Sequence, residues 1–169
     1  TKPALSSFEE KTGCKGTMIS AVDLLKGIGV GTFMDVPLVE GANGGLHTNY
    51  EGKAQAAIDA LLGGMDFAYI HVEAPDEMGH QGLVAEKIQA IENLDSRVIA
   101  PVKAAMEAAG EDYRMLIVPD HATPIAIRTH NCDFVPFILF DSRRQSRRIC
   151  RFNEKEAQAT GITEPKGHL

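Results

Sequence analysis

Cysteine is scarce in this 169-residue chain, and the three present, Cys14, Cys132 and Cys150, are odd in number and lack CxxC spacing. They supply no disulfide framework, and free thiols suit a reducing cytoplasm. Long apolar runs are missing too: none approaches the roughly 20 residues that a bilayer-crossing helix needs. No signal peptide is read at the start of the chain. Positive charge is not in excess. The net charge of −6 argues against broad binding to nucleic acid or to an anionic membrane. Internal repeats and low-complexity tracts are absent as well. What remains, 44% hydrophobic and 24% charged residues, is the balance of one globular domain rather than a disordered chain. The chain opens at Thr1 without methionine, and residues 160–169 form no obvious terminal element, so a trimmed chain is expected.

Apolar segments alternate with helical ones. Residues 67–72 (FAYIHV), 114–119 (RMLIVP) and 135–140 (VPFILF) read as short buried strands, and 17–20 and 33–39 as weaker ones. Residues 51–62 read as a helix with Ala54, Ala57, Ile58, Leu61 and Leu62 on one face. From Val84 onward, Ile88, Ile91, Leu94, Val98 and Val102 follow at steps of three or four, a second helical stripe. Pro101 is expected to kink or split that helix, and Gly110 to stop it. Strands alternating with helices imply an α/β fold with a largely parallel, helix-covered sheet.

Ligands of open α/β sheets bind beyond the carboxyl ends of the strands. Glu73, Asp76 and His80 follow the first strong strand, Asp120 and His121 follow the second, and His130 precedes the third. Parallel strands of one sheet are expected to bring these segments to one edge. Two carboxylates and three imidazoles then converge, a set suited to Mn²⁺ or Zn²⁺ and less to an all-oxygen Ca²⁺ site. Asp120 and His121, adjacent in sequence, suit a site with two metals roughly 3.5–4 Å apart. The plainer alternative is that the acids cap turns and the histidines satisfy local hydrogen bonds.

EAPDEMGH at 73–80, PDHATP at 119–124 and RTHNCDFVPF at 128–137 resemble, in order and spacing, three metal-binding motifs of cofactor-independent phosphoglycerate mutases. ISAVDLLKGIG at 19–29 and NYEGK at 49–53 resemble the archaeal-type branch, and the likeness runs from about residue 7 to residue 167. The resemblance implies a three-layer α/β/α sandwich of the alkaline phosphatase superfamily with a mostly parallel sheet. By it, Asp76, His80 and His130 hold one divalent ion, and Asp120 and His121 the other. The ions are Mn²⁺ first, with Mg²⁺ or Zn²⁺ in some members. The implied reaction interconverts 2- and 3-phosphoglycerate, small phosphorylated substrates, through a phosphoserine enzyme. Lys26 matches a lysine that steadies the phosphoryl group or substrate, or is a plain surface lysine.

Two departures matter. The family's nucleophilic serine and a further aspartate ligand lie near its N-terminus, before an inserted lid domain, and neither has a counterpart here. Residues 1–169 are therefore expected to be the C-terminal part of the metal-binding domain, inactive alone and prone to self-association through exposed sheet. Phe134 stands where the family usually has proline. The competing expectations are another superfamily phosphatase, phosphodiesterase or homoserine kinase-like transferase, and an inactive structural module.

Other residues read more blandly. His71, inside a strand, is taken as structural, with an orienting role toward the metals as its alternative. His47 reads as a solvated loop residue, and Glu73 as either a turn cap or a ligand-orienting group. Five arginines within residues 143–151 read as a solvated surface rather than a nucleic-acid patch, and Cys132 as an inert loop thiol.

Overall fold

The computed structural model describes residues 5–144 and 151–167. Its elements run α1 (Phe8–Thr12), β1 (Gly16–Ile19), α2 (Asp23–Gly31), α3 (Tyr50–Leu62), β2 (Phe67–Ile70), α4 (Ala74–Gln81) and α5 (Val84–Leu94), then a π-helical turn (Asp95–Ile99). The chain continues through α6 (Ala100–Ala109), β3 (Arg114–Ile117), β4 (Ile138–Asp141) and α7 (Glu154–Ala159).

β1 and β2 pair in parallel, with Ile19 opposite Ile70. The weak strand expected at 17–20 is thus real, and every residue of β1 is buried. The one expected at 33–39 shrinks to a single parallel bridge from Thr17 to Asp35. Phe33 sits at φ 60°, and Pro37 has no N–H to give, so the segment cannot continue the ladder. α3 lies across β1 and β2 and against α6. The core gathers Ile19, Tyr50, Ala54, Ala57, Ala74, Ala90, Val98 and Val102.

The third strong strand differs in direction from the expected parallel arrangement. β4 runs antiparallel to β3, with Ile117 opposite Ile138. The difference has a useful result. A residue preceding a parallel strand would sit at the sheet edge opposite the carboxyl end of β3. Reversal puts the start of β4, and the segment carrying His130 before it, beside the end of β3.

The helical stripes also shift. α3 buries Tyr50, Lys53, Ala54 and Ala57, one turn earlier than expected, and Leu62 is left exposed. The stripe beginning at Val84 is not continuous: Val84, Ile88 and Ile91 are exposed, whereas Val98 and Val102 are buried. The π-turn inserts a residue into the helical phase and rotates the later stripe inward. It ends just before Pro101, whose lost N–H falls in the first turn of α6. Gly110 closes α6 at φ 71°, a left-handed conformation that a side chain disfavours.

Tyr50 is the largest fully buried side chain among the described residues, and the Arg97 guanidinium lies 4.8 Å from its ring centroid. Replacing it with alanine leaves a cavity between α3 and the π-turn. Tyr50→Ala is expected to lower stability by about 3–5 kcal/mol, read from the urea unfolding midpoint.

Candidate metal centre

α4 follows β2 directly and carries two donors. Asp76 lies in its first turn and His80 in its last, four residues apart and so on one helical face. The helix ends at Gly82, φ 72°, and the Arg128 side chain packs against that glycine where a Cβ would stand. Arg128 is itself left-handed at φ 54°. Its carbonyl accepts a hydrogen bond from His80 Nδ1 at 3.0 Å. A carbonyl cannot donate, so the His80 proton is on Nδ1 and the Nε2 lone pair faces inward.

That Nε2 lies 3.4 Å from Asp76 Oδ2 and 3.0 Å from His130 Nε2. His130 Nε2 lies 3.3 Å from the other carboxylate oxygen, Oδ1. His121 closes the group, its ring centroid 3.6 Å from that of His130. A backbone bridge between Ala122 and Asn131 brings those two histidines together. Donor atoms of Asp76, His121 and His130 all fall within 4.8 Å of one another. Electron-rich atoms crowded in this way repel unless a proton or a cation joins them. The mixture of one carboxylate and three imidazoles fits a divalent transition metal.

Asp120 is at the edge of this group. Its Oδ2 lies 3.3 Å from His121 Nε2, and Oδ1 accepts the His121 backbone N–H at 3.0 Å. The carboxylate is exposed. Lys26 is not brought to the donors by any contact: on α2 it pairs with Asp23 at 2.7 Å.

The supporting groups are mostly ones the sequence did not reveal. Lys53 is fully buried, and its ammonium donates to the His71 carbonyl at 3.0 Å, where the chain leaves β2. Burial holds its pKa below the usual lysine range. His71 bonds back to β1 through its N–H, to Ile19 O at 2.9 Å, and its Nδ1 lies 3.4 Å from Ser20 Oγ. Glu73 keeps a buried carboxylate oxygen with no hydrogen-bond partner among the described residues and faces Gly44. His47 and Cys132 are exposed. Arg143 pairs with Asp141 and holds that carboxyl well below the ordinary range, while residues 145–150 of the arginine run lie outside the described residues.

Residues 1–167 match the Metalloenzyme superfamily. The chain belongs to that superfamily. Its α/β fold is accordingly of the alkaline phosphatase-like class. The chain is 46% identical over 166 residues to the probable 2,3-bisphosphoglycerate-independent phosphoglycerate mutase of Geobacter sulfurreducens, covering 98% of this chain and 41% of that protein. It is 50% identical over 138 residues to the 2,3-bisphosphoglycerate-independent phosphoglycerate mutase of Methanosarcina acetivorans, covering 82% of this chain and 34% of that protein. Among solved structures, the PH0037 protein from Pyrococcus horikoshii superposes with a TM-score of 0.79 at 29% identity, over 94% of this chain and 47% of that one. The chain therefore spans less than half the length of these relatives. Among the described residues, no helix is long and apolar enough to cross a membrane.

His71 supplies a pH test. Burial pushes its pKa below the ordinary 6.5, and the charges of Glu73 and Asp120 oppose this more weakly. The unfolded chain therefore takes up this proton first on acidification. Stability present above the unfolded value is lost as pH falls through the lower folded one. In metal-free protein, the urea midpoint is expected to drop as the pH falls below the ordinary histidine value of 6.5, and His71→Gln should make that drop shallower.

Proposed function

We propose that this chain is the C-terminal part of the metal-binding domain of a phosphoglycerate mutase, working in the intact protein on 2- and 3-phosphoglycerate through a serine ester. The observation that carries this reading is the meeting of Asp76, His80, His121 and His130 at the carboxyl ends of β2 and β3. Its support is the similarity to proteins that bear the mutase name.

In this reading Asp76, His80 and His130 hold one divalent ion, and Asp120 with His121 holds a second, Mn²⁺ being the preferred metal over Mg²⁺ or Zn²⁺. Bound there, the pair would act as Lewis acids on a phosphoryl group and on an attacking hydroxyl. The chain's own residues orient and hold. α4 fixes the spacing of Asp76 and His80, the Arg128 carbonyl keeps the proton of His80 away from the centre, and Lys53 pins the strand end from which α4 departs. Lys26 would steady the phosphoryl group after leaving Asp23. The nucleophilic serine is assigned to the part of the protein outside this chain. Ser20 accepts the Val22 N–H and thus serves its own turn.

Phe67, Tyr69, Leu116 and Val118 are exposed on or beside β2 and β3. In the intact protein we assign their cover to the remaining polypeptide; alone, the chain is expected to self-associate through them. Cys14 and Cys132 are free thiols, which suits a cytoplasmic enzyme.

The test joins this chain to the N-terminal part of its gene product and assays 3-phosphoglycerate with Mn²⁺. Conversion to 2-phosphoglycerate is expected. Simple phosphate release from phosphomonoesters without isomerisation would replace the mutase by a phosphatase. In the same protein, Asp76→Ala should weaken Mn²⁺ binding by more than the roughly 10–100-fold typical of losing an outer hydrogen-bond partner. Unchanged affinity in a calorimetric titration would remove Asp76 from the ligand set.

A further inference from the structure

Thr123 lies between the two ligand-bearing segments and is almost fully buried. Its Oγ1 donates a hydrogen bond to Asp76 Oδ1 and lies 3.3 Å from His121 Nδ1. A hydroxyl has one proton, and an ionised carboxylate can only accept. The Thr123 proton therefore goes to Asp76. The hydroxyl oxygen is left as an acceptor toward His121, and a ring that donates to it carries its proton on Nδ1. Its Nε2 is then a bare lone pair, and that atom lies 3.3 Å from Asp120 Oδ2. Two electron-rich atoms at that distance form a seat for a cation.

Thr123 is itself held from two further sides. Its carbonyl accepts from Lys87 Nζ of α5 at 2.7 Å. α4 crosses directly above it at Gly79, where a Cβ would come within 2.8 Å of both the Thr123 carbonyl oxygen and Lys87 Nζ. A glycine at that point lets the helix approach closely enough for Asp76 to meet the hydroxyl. Lysine and helix thus hold the Thr123 carbonyl, and the helix also packs against its methyl group.

We propose that Thr123 is a positioning residue of the metal centre: its hydroxyl orients Asp76 and sets His121 as the Nδ1–H tautomer, joining the donors of α4 to those that follow β3. This deepens the proposed metal reading and rests on it, because the purpose of the tautomer is to present Nε2 to a cation. Partners of ligating histidines and carboxylates typically change metal affinity by about 10–100-fold when removed.

The test uses nitrogen-15 NMR of the imidazole rings in the metal-free chain, at a pH where they are neutral, followed by Mn²⁺ titration. Wild type and Thr123→Ser should both show His121 protonated on Nδ1. Thr123→Val, which keeps the shape and loses the hydroxyl, should shift His121 toward Nε2–H and weaken Mn²⁺ by roughly 10–100-fold, with serine restoring most of the affinity. Lys87→Met should move both readouts the same way by a smaller amount. Nε2–H in the wild-type chain would overturn the proposal without any variant. So would a serine variant that behaves like valine, or a valine variant with wild-type tautomer and affinity. A wild-type chain that holds Nδ1–H yet takes up no Mn²⁺ would leave the Thr123 hydrogen bonds standing and defeat the metal reading instead.

Discussion

The Asp76 carboxylate has three neighbours to satisfy at once. One oxygen meets the Thr123 hydroxyl and His130 Nε2, and the other meets His80 Nε2. His80 shares the helix of Asp76, but Thr123 and His130 lie 47 and 54 residues further along the chain. Each stretch must therefore be placed to within a hydrogen bond's tolerance before the group exists at all. Much of the surrounding structure can be understood as the means of that placement. β2 delivers α4, helical phase puts Asp76 and His80 on one face, and the reversal of β4 returns His130 to the end of β3.

A buried and a half-buried lysine do comparable work at the two strand ends. Lys53 binds the carbonyl of His71 where β2 gives way to α4, and Lys87 binds the carbonyl of Thr123 beyond β3. An ammonium removed from water carries a substantial desolvation penalty, and burial lowers the pKa of both. A backbone carbonyl is a modest partner for such a group. The cations are better explained by where they hold the chain than by net stabilisation. Each fixes the backbone next to a donor segment, where a small displacement would separate ligands that must converge.

The residues that meet in this candidate centre were legible from residue type and spacing: Asp76 and His80 four apart after an apolar run, Asp120 and His121 directly after another. The path by which they meet was less so. A short apolar segment such as residues 135–140 has no sign of strand direction in it, because direction is set by long-range pairing rather than local preference. Helical phase suffered likewise. In an alanine-rich segment several faces are almost equally apolar, so the burial of Tyr50 and Lys53 was decided by what α3 packs against. The π-turn broke a stripe that looked continuous. Thr123 gave no signal, since threonine after an aspartate–histidine pair is an ordinary turn residue. The faint clue was Gly79, a glycine inside a helix with no turn to make, which marks a close approach by something else.

The short ladder between Ala122 and Asn131 has a consequence for the energetics of ion capture. Without it, seating adjacent ions on His121 and His130 would mean closing a loop of chain at the moment of binding, with its loss of conformational freedom. Here folding of the backbone has already closed that ring. In the proposed two-ion site the two imidazoles would be neighbouring seats assembled in advance, so ions arriving there need not organise the peptide around themselves. Capture can thus be governed by charge and dehydration rather than by the search of a flexible segment for its partner.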